Sequence, residues 1–486
     1  MKKRISVSAL GFIVLAISCV SMSSCSREIE VNEKIAPLQT DAELIGVLAP
    51  KSLAETDNDL TIGCETLDRD YADYHKYKEY LEQLGVRKIR LMAGWAKTEQ
   101  EKGVYDFAWL DSIIDDAVSR GLEPWLETSY GNPIYEGGGT KFLAGGWPTS
   151  PEAIEAWDRW VEAMAVRYKG KVHEWEIWNE PDINKDFKKD VSSQVDLQIR
   201  TAEIIRRVDP EAKIAGFAWA GWKKELFEQC MTQIQERGKL GLFDWISYHI
   251  YRYRPEDMYE LVDQMRTSLD NFSKDIILRQ GETGAPSKGH LGGALSEYEW
   301  SEISQAKWDL RRMLSDHGKG IATTVFSISD MNYQDKDLFS KKNVKGILET
   351  DDDNNILRPK QAYYAIQNLV SVYDALDGIV SPEGIEMSGS DPESSFSIYR
   401  FRDSGKGMDS VVLWEDSSTP DDCTKAISMQ ITVPDAALSH PVCVDVRTGN
   451  VYRIRFKRQA GAYVISGVPV YDSPVIITDR SLLKLK

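Results

Sequence analysis

Two acidic side chains follow short apolar segments that are typical of buried strands. The first segment, Val172–Trp178, ends in a polar turn that holds Asn179 and Glu180, and a proline then terminates the strand. The second segment, Asp275–Gln280, leads into Glu282. Paired carboxyl groups can cleave a glycosidic bond, because one gives a proton to the leaving oxygen while the other attacks the sugar. The pattern therefore predicts acid–base chemistry on sugar acetals.

Alternation along the two segments predicts that both glutamates face the same side of a sheet. Glu176, Trp178 and Glu180 share one parity, as do Gln280 and Glu282. In a closed barrel the C-terminal strand ends gather at one mouth, where function sits. The alternative is an accidental pair of strand-end glutamates neutralised by arginines.

Eight short apolar segments alternate with amphipathic helices from about residue 60 onward. Residues 107–120 and 151–168, for example, keep apolar side chains at helical spacing. Parallel strands need helical crossovers and burial on both faces, so the alternation predicts a (β/α)8 TIM barrel. The predicted strands, of which the first and fifth are weakest, are Leu60–Cys64, Lys88–Ala93, Glu123–Thr128, Val172–Trp178, Lys213–Ala218, Asp244–His249, Asp275–Gln280 and Ala322–Ser327.

The sequence texture changes after a last predicted barrel helix over residues 358–376. Short alternating runs separated by Gly, Pro, Asp and Ser are typical of an antiparallel β-sandwich. We therefore predict a catalytic barrel over residues 45–376 and a β-sandwich domain over residues 377–486. An alternative assigns residues 45–59 to the sandwich as an extra strand.

The N-terminus has the layout of a bacterial lipoprotein signal. A positively charged start precedes an apolar run over residues 9–20, which is too short to span a bilayer. The run Met22-Ser23-Ser24-Cys25 resembles a lipoprotein cleavage box. We predict a signal peptide over residues 1–25, lipidation of Cys25 and a tether over residues 26–44, with plain secretion as the alternative. The expected location is the bacterial cell envelope, either lipid-anchored at the outer membrane, with surface exposure as one option, or periplasmic.

Composition argues against several function classes. The formal net charge of −17 disfavours a nucleic-acid partner, which calls for a basic stripe. No spacing resembles a zinc site or a nucleotide loop, so we predict neither a metal nor a cofactor.

Four cysteines remain after the predicted leader, namely Cys64, Cys230, Cys423 and Cys443. Of these, Cys423 and Cys443 could pair, although sequence does not establish connectivity.

The Trp-Asn-Glu-Pro run at residues 178–181, with the Gly-Glu pair at 281–282, resembles glycoside hydrolase clan A. Within the clan the chain is most similar to family 39, the β-xylosidase and iduronidase group, over about residues 60–375. The resemblance implies a retaining double displacement on β-linked oligo- or polysaccharides. Glu180 would be the acid/base and Glu282 the nucleophile. Carbohydrate is then the expected partner, and the membrane is met only through the N-terminal lipid.

The resemblance also implies contacts around the reacting pair. Arg90 would hold the nucleophile ionised, with a barrel-floor ion pair as the alternative. Asn179 would bind the sugar 2-hydroxyl, and Tyr251 would hydrogen-bond the nucleophile. The remaining candidates for substrate binding are His249, for which a satisfied core histidine is the alternative, Tyr130, Asn132 and Trp95.

One departure from the clan pattern concerns the aromatic platform for the sugar. The clan places a tryptophan on the eighth strand, but residues 324–330 contain none. Phe326 is one candidate substitute, and other loops offer Trp95, Trp147, Trp219 and Trp222. The departure leaves the identity of the sugar open without affecting the reaction.

Two other functions fit the same residues. A surface glycan-binding lipoprotein on a degenerate barrel would bind sugar without turnover. A transglycosylase would use the same glutamates but pass the sugar to an acceptor other than water.

Overall fold

The computed structural model describes residues 30–333 and 342–486. A closed barrel of eight parallel strands is followed by antiparallel sheets. This architecture confirms the predicted (β/α)8 barrel with a C-terminal antiparallel sandwich. The predicted signal peptide with Cys25, and residues 26–29 of the predicted tether, lie outside the described residues. No helix within the described ranges combines the length and apolar character needed to cross a membrane.

The barrel strands lie close to their predicted positions. After β1 (Leu44–Val47), they are β2 (Thr61–Gly63), β3 (Lys88–Met92), β4 (Glu123–Thr128), β5 (Glu174–Ile177), β6 (Lys213–Trp219), β7 (Trp245–Tyr248), β8 (Ile277–Thr283) and β9 (Thr323–Val325). β4 has its predicted bounds, whereas β5 ends before Trp178. β8 continues beyond Gln280, so Glu282 lies within the strand and not after it.

Helices surround the barrel and complete its crossovers. They are α1 (Tyr74–Leu84), the single turn α2 (Trp95–Thr98), α3 (Ala108–Ser119), α4 (Pro151–Tyr168), α5 (Val191–Val208), α6 (Lys224–Glu236), α7 (Tyr259–Asp270), α8 (Glu302–Gly318) and α9 (Gln361–Val372). α4 shows why these segments are helical. The Ser150 side chain accepts a hydrogen bond from the Ala153 amide, and proline occupies the first helical position. Its apolar stripe, including Trp157 and Trp160, is buried.

Two short antiparallel pairs follow the last barrel strand. They are β10 (Met331–Asn332) with β11 (Lys342–Asn343), and β12 (Leu348–Thr350) with β13 (Ile356–Pro359). The hairpin β12–β13 precedes α9, and the segment between β11 and β12 passes the barrel mouth.

Two antiparallel sheets form the sandwich. Their strands are β14 (Gly378–Val380), β15 (Glu386–Ser388), β16 (Phe396–Arg402), β17 (Asp409–Glu415), β18 (Ile427–Pro434), β19 (Pro441–Asp445), β20 (Asn450–Arg453), β21 (Arg455–Gln459), β22 (Ala462–Val470) and β23 (Val475–Asp479). One sheet has seven strands in the order β1-β20-β19-β23-β17-β16-β14, and the other has four in the order β15-β18-β22-β21. The segment before the barrel thus contributes a strand, β1, to the larger sheet.

The seven-stranded sheet is buried on both faces. Val411 and Leu413 of β17 belong to the core between the two sheets, whereas Val412 and Trp414 belong to the core shared with the barrel. Helix α8 lies at this junction, and its residues 304–316 are all buried. The sandwich is therefore packed onto the barrel as one continuous body of side chains.

The cysteine pair that the sequence left open is not joined in the fold. Cys443 is buried in the core of the sandwich, Cys423 is exposed, and both are free thiols. Cys64 and Cys230 are also free and buried.

Candidate active site

The C-terminal end of β5 reaches the barrel mouth through an irregular turn. Trp178 and Glu180 both have left-handed backbone conformations, with φ of 63° and 48°. The regular alternation predicted through Trp178 is therefore wrong. The Trp178 ring packs against Tyr130 and Trp157, while Glu180 lines a cleft at the mouth of the barrel. The kink, and not strand parity, directs this carboxyl group toward the axis.

The strand that holds Glu282 is also irregular. The register of β8 against β9 shifts between Gln280 and Thr283, and Glu282 lies within this irregularity. Gly281 precedes it at a very crowded point. A β-carbon there would clash with the Ser247 hydroxyl and lie 2.9 Å from Nε2 of His249. A side chain at this position would force these neighbours to shift.

The structure brings the two predicted glutamates together. One oxygen of Glu180, one oxygen of Glu282 and a ring nitrogen of His249 all lie within 4.8 Å of one another. Retaining glycosidases have carboxyl groups about 5–5.5 Å apart, whereas inverting ones separate them by about 6.5–9.5 Å to admit a water. The separation suits attack by Glu282 itself.

Glu282 accepts hydrogen bonds from two donors, one in the loop after β7 and one on β3. The Tyr251 hydroxyl donates to Oε1 at 2.7 Å, and Nη1 of Arg90 donates to Oε2 at 3.3 Å. Burial raises the pKa of Tyr251 well above its usual range, so this hydroxyl stays a donor. Both contacts orient the carboxyl group.

Arg90 is the centre of a buried cluster of acids. Its guanidinium contacts Glu65 at 2.7 Å, Glu176 at 2.7 Å and Glu127. Burial raises the pKa of Glu65 to about 7 despite the attraction of Arg90, and it raises the pKa of Glu127 well above its usual range. Burial thus favours the neutral form of Glu65 and Glu127, while Arg90 opposes this shift. Arg90 thus contacts Glu282 and also forms buried ion pairs inside the barrel. The sequence predicted these two contacts as alternatives.

Glu180 has an environment that favours its acid form. Burial, reinforced by the nearby Asp182 carboxylate, raises the pKa of Glu180 to about 8. His249 lies with Nδ1 at 3.2 Å from Glu180 and 3.7 Å from Glu282. Burial lowers the pKa of His249 to about 4, so the imidazole is neutral at pH 7. Glu180 can therefore enter the reaction protonated.

Asn179 and Tyr130 form one wall of the cleft. The Asn179 amide donates to the Tyr130 hydroxyl at 2.7 Å, and its Oδ1 accepts from Arg90 at 3.0 Å. These bonds fix the amide beside the reacting pair, and both residues line the cleft.

Two predicted substrate-binding residues lie away from the cleft. Trp95 is fully buried, stacks on Tyr135 and Trp160, and donates to Glu99. Asn132 is also fully buried, and its amide donates to the Glu99 carbonyl. The fold places both side chains in packed contacts outside the cleft lining, because closeness to a strand end does not tell which way a side chain points.

The cleft encloses about 460 Å³. Its apolar lining includes Leu143, Ile183 and Phe326, and no tryptophan of the described ranges takes part. Of the sequence candidates for a platform, only Phe326 lines this space. Two cations that sequence reasoning missed, Arg69 and Lys345, also face it. Neither lies in a motif, and their positions depend on loops that no local pattern places.

Glu180, His249 and Glu282 are also close enough to share a cation. Two carboxylates and an imidazole are chemically able to hold one. The prediction that the protein needs no metal therefore stays a prediction.

Comparison with known proteins points to one family. Residues 48–273 match the model of glycosyl hydrolases family 39. A β-xylosidase from Caldicellulosiruptor saccharolyticus is 32% identical over 195 residues, which cover 36% of this chain and 38% of the relative. A β-xylosidase from Geobacillus stearothermophilus is 26% identical over 205 residues, which cover 38% of this chain and 40% of the relative. The match thus spans about two fifths of each relative.

A solved structure shares the fold over most of the chain. It is a family 39 glycoside hydrolase from the gut symbiont Bacteroides cellulosilyticus, with a TM-score of 0.62 and 16% sequence identity. The superposition covers 90% of this chain and 82% of that one. Barrel and sandwich are therefore similar together, not the barrel alone.

Proposed function

We propose that this chain is a glycoside hydrolase of the family 39 type, which cleaves β-glycosidic bonds in oligo- or polysaccharides with retention of configuration. The observation that carries the proposal is the separation of 4.8 Å or less between carboxyl oxygens of Glu180 and Glu282. The match of residues 48–273 and the two β-xylosidase relatives support it.

The first half of the reaction follows from the two environments. The Glu282 carboxylate, oriented by Tyr251 and Arg90, attacks the anomeric carbon and forms a glycosyl ester. Glu180 gives its proton to the departing oxygen, as its raised pKa allows. The Asn179 amide lines the same cleft, next to Glu180 in the chain, and would bind a sugar hydroxyl.

In the second half, water hydrolyses the ester. Ester formation removes the negative charge of Glu282, which favours the ionised form of Glu180. Glu180 then takes a proton from water, which attacks the anomeric carbon from the face that the leaving group had occupied. The Glu282 carboxylate and the acid form of Glu180 are restored.

The stereochemistry of the first product tests the mechanism. With an aryl β-xyloside or β-glucoside as substrate, proton NMR should detect the β-anomer of the free sugar before mutarotation. An α-anomer formed first would contradict a retaining pair. Oligosaccharide products would indicate transfer to sugar acceptors, and binding of sugars without turnover would indicate a lectin-like protein.

Substitution separates the roles of the two glutamates. Glu180→Ala and Glu282→Ala should each lower turnover by several orders of magnitude. Azide should restore the first variant with a β-glycosyl azide as product, because it attacks the glycosyl ester. Glu123→Gln, at the exposed opposite end of β4, is the control and should keep full activity. Wild-type rates in either alanine variant would overturn the assignment.

The proposal includes an envelope location. The charged start, the apolar run over residues 9–20 and the box ending in Cys25 support a lipoprotein signal. Metabolic labelling of the full chain with an alkyne fatty acid in a bacterial host should label the wild type but not Cys25→Ala. Equal labelling of both would remove this part of the proposal without affecting the enzymatic one.

A further inference from the structure

A buried lysine that lacks an acceptor lines the cleft. Lys345, which follows β11, is 4% exposed. Its ammonium lies 5.7 Å from the centre of the Tyr251 ring and 3.7 Å from where a β-carbon on Gly293 would stand. Within residues 30–333 and 342–486, Nζ has neither a hydrogen-bond acceptor nor an ion-pair partner. Its three donors therefore have no protein acceptor at the wall of the cleft.

Three other cations with buried side chains have acidic partners. Lys360 contacts Asp330 at 2.6 Å, and Lys307 contacts Asp472 at 2.5 Å. Arg69, the other cation that faces the cleft, pairs with Asp68 at 3.3 Å. Lys345 differs from these three because its counter-charge is missing.

The Glu282 carboxylate attracts the Lys345 ammonium, but the two groups form no ion pair. Tyr251 and Arg90 already occupy the Glu282 oxygens. Burial lowers the pKa of Lys345 to about 8, against an opposing attraction from Glu282, and this still leaves most molecules cationic at neutral pH. The ammonium keeps its charge and remains available to another anion.

The proposed reaction leaves the positive charge of Lys345 even less compensated. When Glu282 becomes a glycosyl ester, its negative charge disappears and the site loses the charge that attracts Lys345. A substrate that brings its own negative charge would compensate the lysine both before and during this step. Such a ligand would also satisfy the free donors, since charge-assisted hydrogen bonds are the stronger kind.

We infer that Lys345 selects sugars with an anionic substituent, a carboxylate or a sulfate, in the cleft beside Glu282. The inference rests on the proposed hydrolase function and deepens it, because it names the class of substrate. Lys345 is then a specificity-determining residue, and the enzyme prefers acidic glycans to neutral ones.

Rates on matched aryl glycosides test the inference. The substrates are the β-glucuronide, the 6-sulfo-β-glucoside, the β-glucoside and the β-xyloside of one phenol. Wild-type kcat/KM should be higher for one anionic substrate than for the neutral ones, and the first two arms distinguish carboxylate from sulfate. In Lys345→Met the ratio of anionic to neutral kcat/KM should fall roughly 10- to 100-fold, the loss of one charged hydrogen bond.

Two further variants make the result specific. Lys345→Arg keeps the charge and should retain more of the preference than Lys345→Met. Lys288→Met removes an exposed lysine from the loop after β8 and should change neither rates nor ratio. Equal losses on anionic and neutral substrates would mean that Lys345 acts only on Glu282, and this would overturn the inference. A wild type without anionic preference would also overturn it.

Binding of the free sugars provides a test that does not need turnover. Calorimetry with glucuronate, glucose 6-sulfate, glucose and xylose should show tighter binding of an anionic sugar to the wild type, and Lys345→Met should lose that difference. If neutral glycosides are hydrolysed but no anion preference exists, the inference fails and the proposed function stands. If anions bind through Lys345 and no glycoside is cleaved, the proposed function fails instead.

Discussion

At the scale of single residues, the two glutamates differ because their surroundings differ. Glu180 is buried near Asp182, so burial and like charge favour its acid form. Glu282 accepts hydrogen bonds from Tyr251 and Arg90, which orient its oxygens for attack. One chemical group thus serves as acid and as nucleophile without a metal in the mechanism we propose.

The pH dependence of the rate should report the acid form of Glu180. Since its pKa is about 8, kcat/KM should decline above that pH, as the proton needed by the leaving group is lost. Asp182→Asn removes a neighbouring charge that raises this pKa, so the alkaline decline should begin at lower pH. Asp186→Asn, on an exposed turn, is the control. An unchanged decline in Asp182→Asn would show that another group limits the rate.

Gly281 should not tolerate even one added methyl group. The β-carbon of Gly281→Ala would meet the Ser247 hydroxyl and Nε2 of His249, and this would push β8 and Glu282 out of line. We expect activity to fall by roughly 10²-fold, the cost of a displacement near 1 Å. Gly241→Ala, in an open turn with no atom within 4 Å, should be neutral in the same assay. Comparable activity of the two variants would contradict the crowding.

At the scale of elements, local signals predicted the barrel better than the site. β4 and α4 have their predicted bounds, because alternation and the Ser150 cap act within a few residues. The end of β5 was missed because the left-handed turn at Trp178 is stabilised by packing against distant rings. Lys345 was missed because its burial is created by loops. The burial of α8 was not predicted because a polar helix is buried only when a remote sheet covers it.

Substitution of Lys307 in α8 tests how much the ion pair between this helix and the sandwich contributes to stability. Lys307→Met leaves the Asp472 carboxylate without its partner at 2.5 Å and frees the Cys423 carbonyl. We expect a loss of about 3 kcal/mol in the free energy of unfolding, measured in urea, as for other broken buried pairs. The matched control is Lys102→Met, which breaks an exposed pair with Glu152 and should cost less than about 1 kcal/mol. Equal losses would mean that α8 is not clamped by this pair.

At the scale of the whole molecule, barrel and sandwich depend on one shared sheet. The seven-stranded sheet takes β1 from before the barrel and its other strands from after it. Its two faces belong to two different cores, so removal of the sheet would expose both. The sandwich is then a structural part of the protein.

Unfolding should therefore be a single event. Calorimetry on residues 30–486 should show one transition, because neither core survives exposure of the shared sheet. A chain that stops after Leu376 should be insoluble or lack cooperative unfolding, since it leaves α8 and α9 uncovered. Two separate transitions, or a soluble and active truncated barrel, would contradict this dependence.

The ion pair that links α8 to the sandwich is buried. The side chain of Lys307 is fully buried, and that of its partner Asp472 is nearly so. Dissolved salt weakens charges that water can reach, with a screening length of about 10 Å at 0.1 M, but it acts much less on pairs inside the protein. The contact between α8 and the sandwich should therefore persist at salt concentrations that weaken the surface ion pairs of the barrel helices. Ionic strength alone should not separate the sandwich from the barrel.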